Sequence, residues 1–228
     1  MGREAMPSES PSRRGPDGPL FSPLLEEAIR LAARGHYRQF RKQEGSDTSL
    51  PDDGLLPPER VPYVTHLMGT AAILARLGAR DEVLAAAFLH DYLEDVPDPD
   101  GRESIRSATS DDVLRLVEAL TEDKRGHLGA SATWETRKRE QIERIGEMPE
   151  EAVLIKVADL LHNLISMRSD LEAPNGASVW DRLNAPPDRQ IWYFSSVLAA
   201  AEGRLGDHPL VQALRTAIGA VATFAGGP

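Results

Sequence analysis

The run Val83-Leu-Ala-Ala-Ala-Phe-Leu89 is apolar on every face of a helix, and it leads directly into His90-Asp91. A helix that is apolar all round belongs in the middle of a helical core. A polar pair at its end then needs partners, because an unpaired charge buried among apolar groups is strongly destabilising. The same conflict recurs at His66, inside the apolar stretch Tyr63 to Leu77, and at Asp159, inside Pro149 to Met167. Any fold open to this chain must bury these three segments and still satisfy their His and Asp residues.

The remaining pattern is helical nearly throughout. Pro23 to about Lys42 carries Leu24, Leu25, Ala28, Ile29, Ala32 and Ala33, a helical stripe. Tyr63 to Leu77, with Gly78 as a stop, and Asp81 to Leu93 follow. Ser110-Asp-Asp predicts the cap of a helix running to about Leu120. Thr133 to Ile145 reads as a charged helix, Pro149 to Met167 as a buried one, and Pro187 to Glu202 and Pro209 to Phe224 complete the set. No period-two alternation competes, so the expectation is an all-α, single compact multi-helix domain. Loops are expected at Gln43 to Pro62, Pro97 to Ser107 and Arg125 to Ala132. Long loops are often lids or binding loops, and for the first of these a lid and a plain insertion are equally open readings.

Composition narrows the function classes. A chain of 228 residues holds one full core, and it has no cysteine, which excludes thiolate metal sites, disulfide frameworks and cysteine nucleophiles. A net charge of −10 argues against a broad nucleic-acid or anionic-membrane surface, though not against a small anionic substrate in a cleft with its own local cations. No apolar run reaches membrane-spanning length. Residues 1–20 are rich in Pro, Ser, Gly and charge and lack a secretory core, so a disordered tail and a cytoplasmic protein are expected. The expected division is tail 1–20, a catalytic domain 21–205 with an insertion at 43–62, and a C-terminal helix and tail at 206–228.

His66, His90, Asp91 and Asp159 are expected to form a four-ligand divalent metal site. Neighbours on a helix diverge by about 100°, so His90 and Asp91 can grip one ion only near a helix end. Glu94 and Asp95 follow His90 and Asp91 at four-residue spacing, and Asn163 follows Asp159 in the same way, with Lys156 one turn before it. The alternative is a buried salt-bridge network, for which the neighbourhood holds few cations. Imidazole and carboxylate without sulfur suit Mn²⁺, Fe²⁺ or Zn²⁺ and disfavour Ca²⁺. Glu94 or Asp95 would then orient or deprotonate a water, or protonate a leaving oxygen.

The spaced His…His-Asp…Asp set resembles the signature of the HD phosphohydrolases, an all-helical superfamily. The fuller pattern is similar to the hydrolase domain of RelA/SpoT-type enzymes, which remove the 3′-pyrophosphate of (p)ppGpp with Mn²⁺. The resemblance rests on Phe40-Arg41-Lys42, Pro62-Tyr-Val-Thr-His66, Phe88-Leu-His-Asp-Tyr-Leu-Glu-Asp95 and Ile155-Lys-Val-Ala-Asp-Leu-Leu-His-Asn163, in the family's order. Weaker echoes are Val113 to Thr121 and Thr136-Arg-Lys-Arg139, and together they span roughly residues 24 to 202.

The resemblance implies that His66, His90, Asp91 and Asp159 hold the metal and that Glu94 and Asp95 activate water. It also implies that Arg41 and Lys42 lie against the base, that Asn163 and Ser166 meet the ribose, and that Lys138 and Arg139, with Lys124, contact phosphate. The implied function is a stand-alone Mn²⁺-dependent (p)ppGpp 3′-pyrophosphohydrolase giving GDP or GTP and pyrophosphate, with no synthetase domain. The chain departs from the family in the Gln43–Val61 insertion, in Leu160 where Arg or Lys is usual, and in Ile165 where Arg is common. Other readings are an HD phosphohydrolase acting on (pp)pApp or on the 2′-phosphate of NADPH, an antitoxin-like or non-catalytic nucleotide-binding protein, and a metal that merely staples the helical core.

Overall fold

In the computed structural model, which describes residues 21–41, 60–123, 130–174 and 176–226, the expected all-α architecture is found. The helices run in the order α1 (Pro23–Gly35), α2 (Val64–Arg76), α3 (Asp81–Leu89), α4 (Tyr92–Asp95), α5 (Gly101–Ala108), α6 (Asp111–Leu120), α7 (Ala130–Ile145) and α8 (Glu150–Leu171). A 3₁₀ segment at Gly176–Arg182 follows, then α9 (Pro187–Leu205) and α10 (Pro209–Ala222). Among the described residues the only β-type pairing is an isolated antiparallel bridge between Phe40 and Pro62.

Local chemistry sets several of the ends. The Ser22 hydroxyl accepts from the Leu25 N–H at 3.3 Å with Pro23 in the first turn of α1, and Ser110 accepts from the Val113 N–H at 3.2 Å to open α6. Gly78 takes φ +75°, which lets the chain leave α2 in a conformation most side chains avoid.

The core is organised on α8, which packs against α2, α3, α6, α9 and α10. Its buried residues Val153, Ile155, Val157, Ala158, Leu161 and Leu164 face Leu67, Ala71 and Leu74 of α2, the apolar face of α3, and Leu210, Val211 and Leu214 of α10. On the other side, α1 packs against α3 and α5. The middle of α8, the first turn of α2 and the end of α3 thereby converge, and all three carry expected metal ligands.

Three expectations need correction. The first helix ends at Gly35 rather than near Lys42, and its end lies so close to α4 that a Cβ at Gly35 would come within 2.7 Å of the Tyr92 ring and 2.8 Å of Val96. The helix expected over Asp81 to Leu93 breaks at His90-Asp91 into α3 and α4, with Asp91 at φ −98°, ψ 0°. The loop expected over Pro97 to Ser107 contains α5, whose short amphipathic pattern buries little beyond Ile105 and Gly101. Residues 1–20, Lys42, most of the 43–62 insertion and Lys124 lie outside the described residues. The insertion's two ends are tied together, since the Arg41 N–H donates to the Val61 carbonyl (2.9 Å) and the Tyr63 N–H to the Gln39 carbonyl (2.8 Å).

Ile155 is fully buried where α8 meets its neighbours. Ile155→Ala should destabilise the protein by about 2–5 kcal/mol in urea denaturation, from lost apolar contact and the cavity left behind.

Candidate metal centre

The break between α3 and α4 solves the problem of two adjacent ligands. His90 ends α3 and Asp91 turns the chain into α4, so side chains that would diverge on a continuous helix reach the same point. His66 comes from the first turn of α2 and Asp159 from the middle of α8. His66 Nε2 lies 3.1 Å from Asp159 Oδ1 and 4.0 Å from Asp91 Oδ2, and His90 Nε2 lies 3.2 Å and 3.8 Å from Asp91 Oδ2 and Asp159 Oδ1. Ligand atoms of His66, His90 and Asp91 fall within 4.8 Å of one another. Both rings are buried, His66 at 1 % exposure and His90 at 4 %.

Hydrogen bonding at the far side of each ring aims a lone pair inward. His90 Nδ1 donates to the Ala87 carbonyl at 2.7 Å, and a carbonyl can only accept, so Nδ1 carries the proton and Nε2 faces the two carboxylates. Buried His90 Nε2 makes no hydrogen bond of acceptable geometry within the described residues. A bare lone pair at Nε2 would be repelled by the two carboxylates, so this position takes either a proton or a metal cation. Burial opposes charge on His90, but Asp91 and Asp159 outweigh it and raise the imidazole well above its ordinary range. Burial likewise opposes ionisation of Asp91 and Asp159, and His90 for the first and Lys156 for the second hold them below the usual carboxylate range. The donor set thus fits a divalent metal ion held by His66, His90, Asp91 and Asp159.

Further side chains support these four. His66 Nδ1 and His162 Nδ1 are 3.0 Å apart. With the His66 Nε2 lone pair turned inward, His66 Nδ1 is the donor and His162 must accept, which requires a neutral His162. Its pKa is correspondingly lowered to about 4 by burial and by the neighbouring His66 and Arg41. The His162 ring occupies the space over Gly69, where a Cβ would come within 2.1 Å of it. The Tyr63 hydroxyl donates to Asp91 Oδ2, and burial and the Asp91 charge keep that phenol protonated. Lys156 Nζ donates to Asp159 Oδ2 at 3.0 Å and stays charged despite its burial. A cation therefore does stand beside the cluster, contrary to the expectation that few were near. It meets the outer oxygen of Asp159 and leaves the inner one for the ion.

The expected catalytic and substrate residues are placed unevenly. Asp95 accepts from Gln39 Nε2 at 2.7 Å, and Glu94 Oε1 accepts from the Glu122 N–H at 2.6 Å. Arg41 Nη2 donates to Asn163 Oδ1 at 3.2 Å, and Asn163 Nδ2 donates to Asp159 Oδ1 at 2.7 Å, so this pair is wired to an expected ligand. Ser166 follows one turn beyond Asn163 on α8, half-buried. Lys138 pairs with Glu122 at 2.9 Å and lies over the Tyr193 ring, close to the Glu94 side. Arg139 is turned outward instead, 61 % exposed, paired with Glu135 and stacked on Trp192. A separate cleft of about 420 Å³ between the end of α6 and α7 is lined by Glu122, Asp123, Glu140, Glu143 and Glu147 together with Arg137, Gln141 and Arg144, so carboxylates outnumber guanidinium groups there.

Sequence reasoning missed His162, Tyr63, Gln39 and Gly69. His162 was legible in principle, since it sits three residues after Asp159 on one helical face. Nothing local connects Gln39 to Asp95.

The HD domain family model matches residues 51–185. The chain belongs to the HD-domain family. This HD-domain protein is 34% identical over 147 residues to a Xenopus tropicalis guanosine-3′,5′-bis(diphosphate) 3′-pyrophosphohydrolase, MESH1, covering 64% of this chain and 70% of that one. It is 40% identical over 145 residues to a probable GTP pyrophosphokinase of Mycobacterium leprae, covering 64% of this chain and 16% of that one. Among solved structures it is similar to a metazoan ortholog of SpoT described as hydrolysing ppGpp and acting in starvation responses, with a TM-score of 0.65 and 28% identity over 88% of this chain and 96% of that one. A Listeria monocytogenes protein, lmo0812, superimposes with a TM-score of 0.60 and 32% identity over 71% of this chain and 96% of that one.

His162→Phe should leave the fold intact and weaken Mn²⁺ binding roughly 10- to 100-fold in calorimetric titration, since the ring that accepts from His66 is lost. The pH dependence follows from the same group. A lowered folded value near 4 against 6.5 unfolded means that His162's contribution is intact above pH 6.5 and is lost as pH falls towards 4. In denaturation of metal-free protein, the stability advantage of wild type over His162→Phe should therefore shrink across that window.

Proposed function

We propose that this HD-domain protein removes the 3′-pyrophosphate from guanosine 3′,5′-bis(diphosphate) and its pentaphosphate form, giving GDP or GTP and pyrophosphate, with Mn²⁺ as the metal, in the cytoplasm. The observation that carries this reading is the hydrogen-bonded path Arg41–Asn163–Asp159, which joins the expected nucleotide side to a metal ligand. The similarity to MESH1 proteins from frog and human, 34% and 36% identical, supports the same substrate class.

When bound by His66, His90, Asp91 and Asp159, a divalent ion acidifies water and offsets negative charge on a phosphoryl oxygen. The chain's own residues do the rest. Asn163 and Ser166 position the ribose, and Arg41 and Lys42 the base. Asp95 or Glu94 takes a proton as the water oxygen bonds to phosphorus, the bond from phosphorus to the 3′-oxygen breaks, and the proton ends on that oxygen. Water is consumed, and both its oxygen and its protons are accounted for in pyrophosphate and the free 3′-hydroxyl. Lys156 and Lys138 supply positive charge on the Glu94 side, which locally offsets the acidic balance of the whole chain.

Mn²⁺-loaded protein should release pyrophosphate from ppGpp and pppGpp when both are offered beside ppApp and NADPH. Turnover confined to ppApp or NADPH would overturn the guanosine assignment and keep the chemistry. Asp91→Ala should lower turnover by at least ~100-fold through lost metal chemistry, and Asp95→Asn by about 10²–10⁴-fold through lost proton transfer, both read as pyrophosphate release.

A further inference from the structure

We infer that Gln39, oriented by His36, is a positioning residue that sets the direction of the Asp95 carboxylate; this rests on the reading that Asp95 belongs to the water-handling pair. Gln39 Nε2 donates to Asp95 Oδ2 at 2.7 Å, and Gln39 Oε1 meets His36 Nδ1 at 2.5 Å. The polarity of the chain is forced. An ionised carboxylate only accepts, so the amide nitrogen of Gln39 faces Asp95, its oxygen faces His36, and His36 Nδ1 carries a proton. Each link can be made in one direction only, and reversing the Gln39 amide would set an oxygen against Asp95.

His36 is costly for a merely structural position. The ring is 2 % exposed, lies against Tyr63 and Tyr92 with centroids 5.3 Å and 6.3 Å away, and leaves Nε2 buried without a hydrogen-bond partner among the described residues. A phenyl ring would fill that space without stranding a polar atom. What an imidazole adds is the Nδ1–H aimed at Gln39. The backbone extends the same function: the Gln39 N–H donates to the His36 carbonyl at 3.0 Å, and the Gln39 carbonyl accepts from the Tyr63 N–H at 2.8 Å. Tyr63 in turn donates to Asp91. One residue in the turn after α1 thereby fixes Asp95 through its side chain and, through Tyr63, the support of a metal ligand.

The test compares Gln39→Met, which keeps length and removes the donor, with His36→Phe, His36→Asn and Asp95→Asn, using Mn²⁺-loaded full-length protein and ppGpp. Gln39→Met should lower kcat roughly 10-fold or more while KM stays within about twofold, because only the geometry of the proton acceptor is disturbed. Its melting temperature and Mn²⁺ affinity by calorimetry should match wild type. His36→Phe should behave like Gln39→Met. His36→Asn, whose amide N–H can stand where the Nδ1–H stood, should recover kcat to within about threefold of wild type if geometry is what matters. Wild-type kcat in Gln39→Met beside an inactive Asp95→Asn would overturn the inference and leave the pair's assignment standing. So would a parallel loss of melting temperature and metal affinity, or a His36→Asn protein as slow as His36→Phe. An active Asp95→Asn would remove the assignment itself. Gln39 is half-buried, so its variant keeps the test decisive should the His36 variants fail to fold.

Discussion

Two imidazoles and two carboxylates are held within a few ångströms of each other at the centre of a helical protein, and the need for positive charge among them, from a proton or a metal ion, is the constraint to which the surrounding structure answers. Each ring nitrogen on the outer side is committed, His90 to the Ala87 carbonyl and His66 to His162, so neither ring can turn its lone pair away. Lys156 offsets one carboxylate from the outside and Tyr63 donates to the other. What remains is the inward-facing set, a donor arrangement that fits a divalent cation. The lack of a side chain at Gly69 belongs to the same arrangement, since without that space His162 has no place beside His66.

From that centre, hydrogen bonds run to residues far away in sequence. Asp159 leads through Asn163 to Arg41, Asp95 through Gln39 to His36, and Glu94 to the backbone at Glu122, which Arg137 and Lys138 neutralise. Each path ends on an element that contributes no metal ligand. The cluster is therefore tied to the turn after α1 and to the α6–α7 region, and changes in either can reach the centre without touching the ion.

The parts legible in advance share a physical basis. Helix content followed from apolar stripes of period 3.6, and the convergence of His66, His90, Asp91 and Asp159 from polar residues standing inside segments too apolar to tolerate them unpaired. Arg139 failed for the same kind of reason: a cation on a charged helix offers no local signal of which face it occupies, and packing of α7 on α9 turned it towards Glu135 and Trp192. The break at His90-Asp91 was hidden because the sequence there is continuous with the apolar helix before it, and only contact with Tyr63, His66 and Asp159 makes the turn worthwhile. Ile165, read as a departure from a common Arg, is 52 % exposed on α8, while Leu160 is buried.

By itself, then, the sequence determined that the chain is helical and that His66, His90, Asp91 and Asp159 stand in its apolar segments, because residue type and the period of the apolar pattern decide which segments are buried. Tertiary structure decided which atoms meet. It chose the tautomers of His36, His90 and His162 and the direction of the Gln39 amide, and it separated Lys138, near the centre, from Arg139, outside it. Hydrogen bonds are directional and act over about 3 Å, and no pattern along one helix states what a distant helix will bring within that distance.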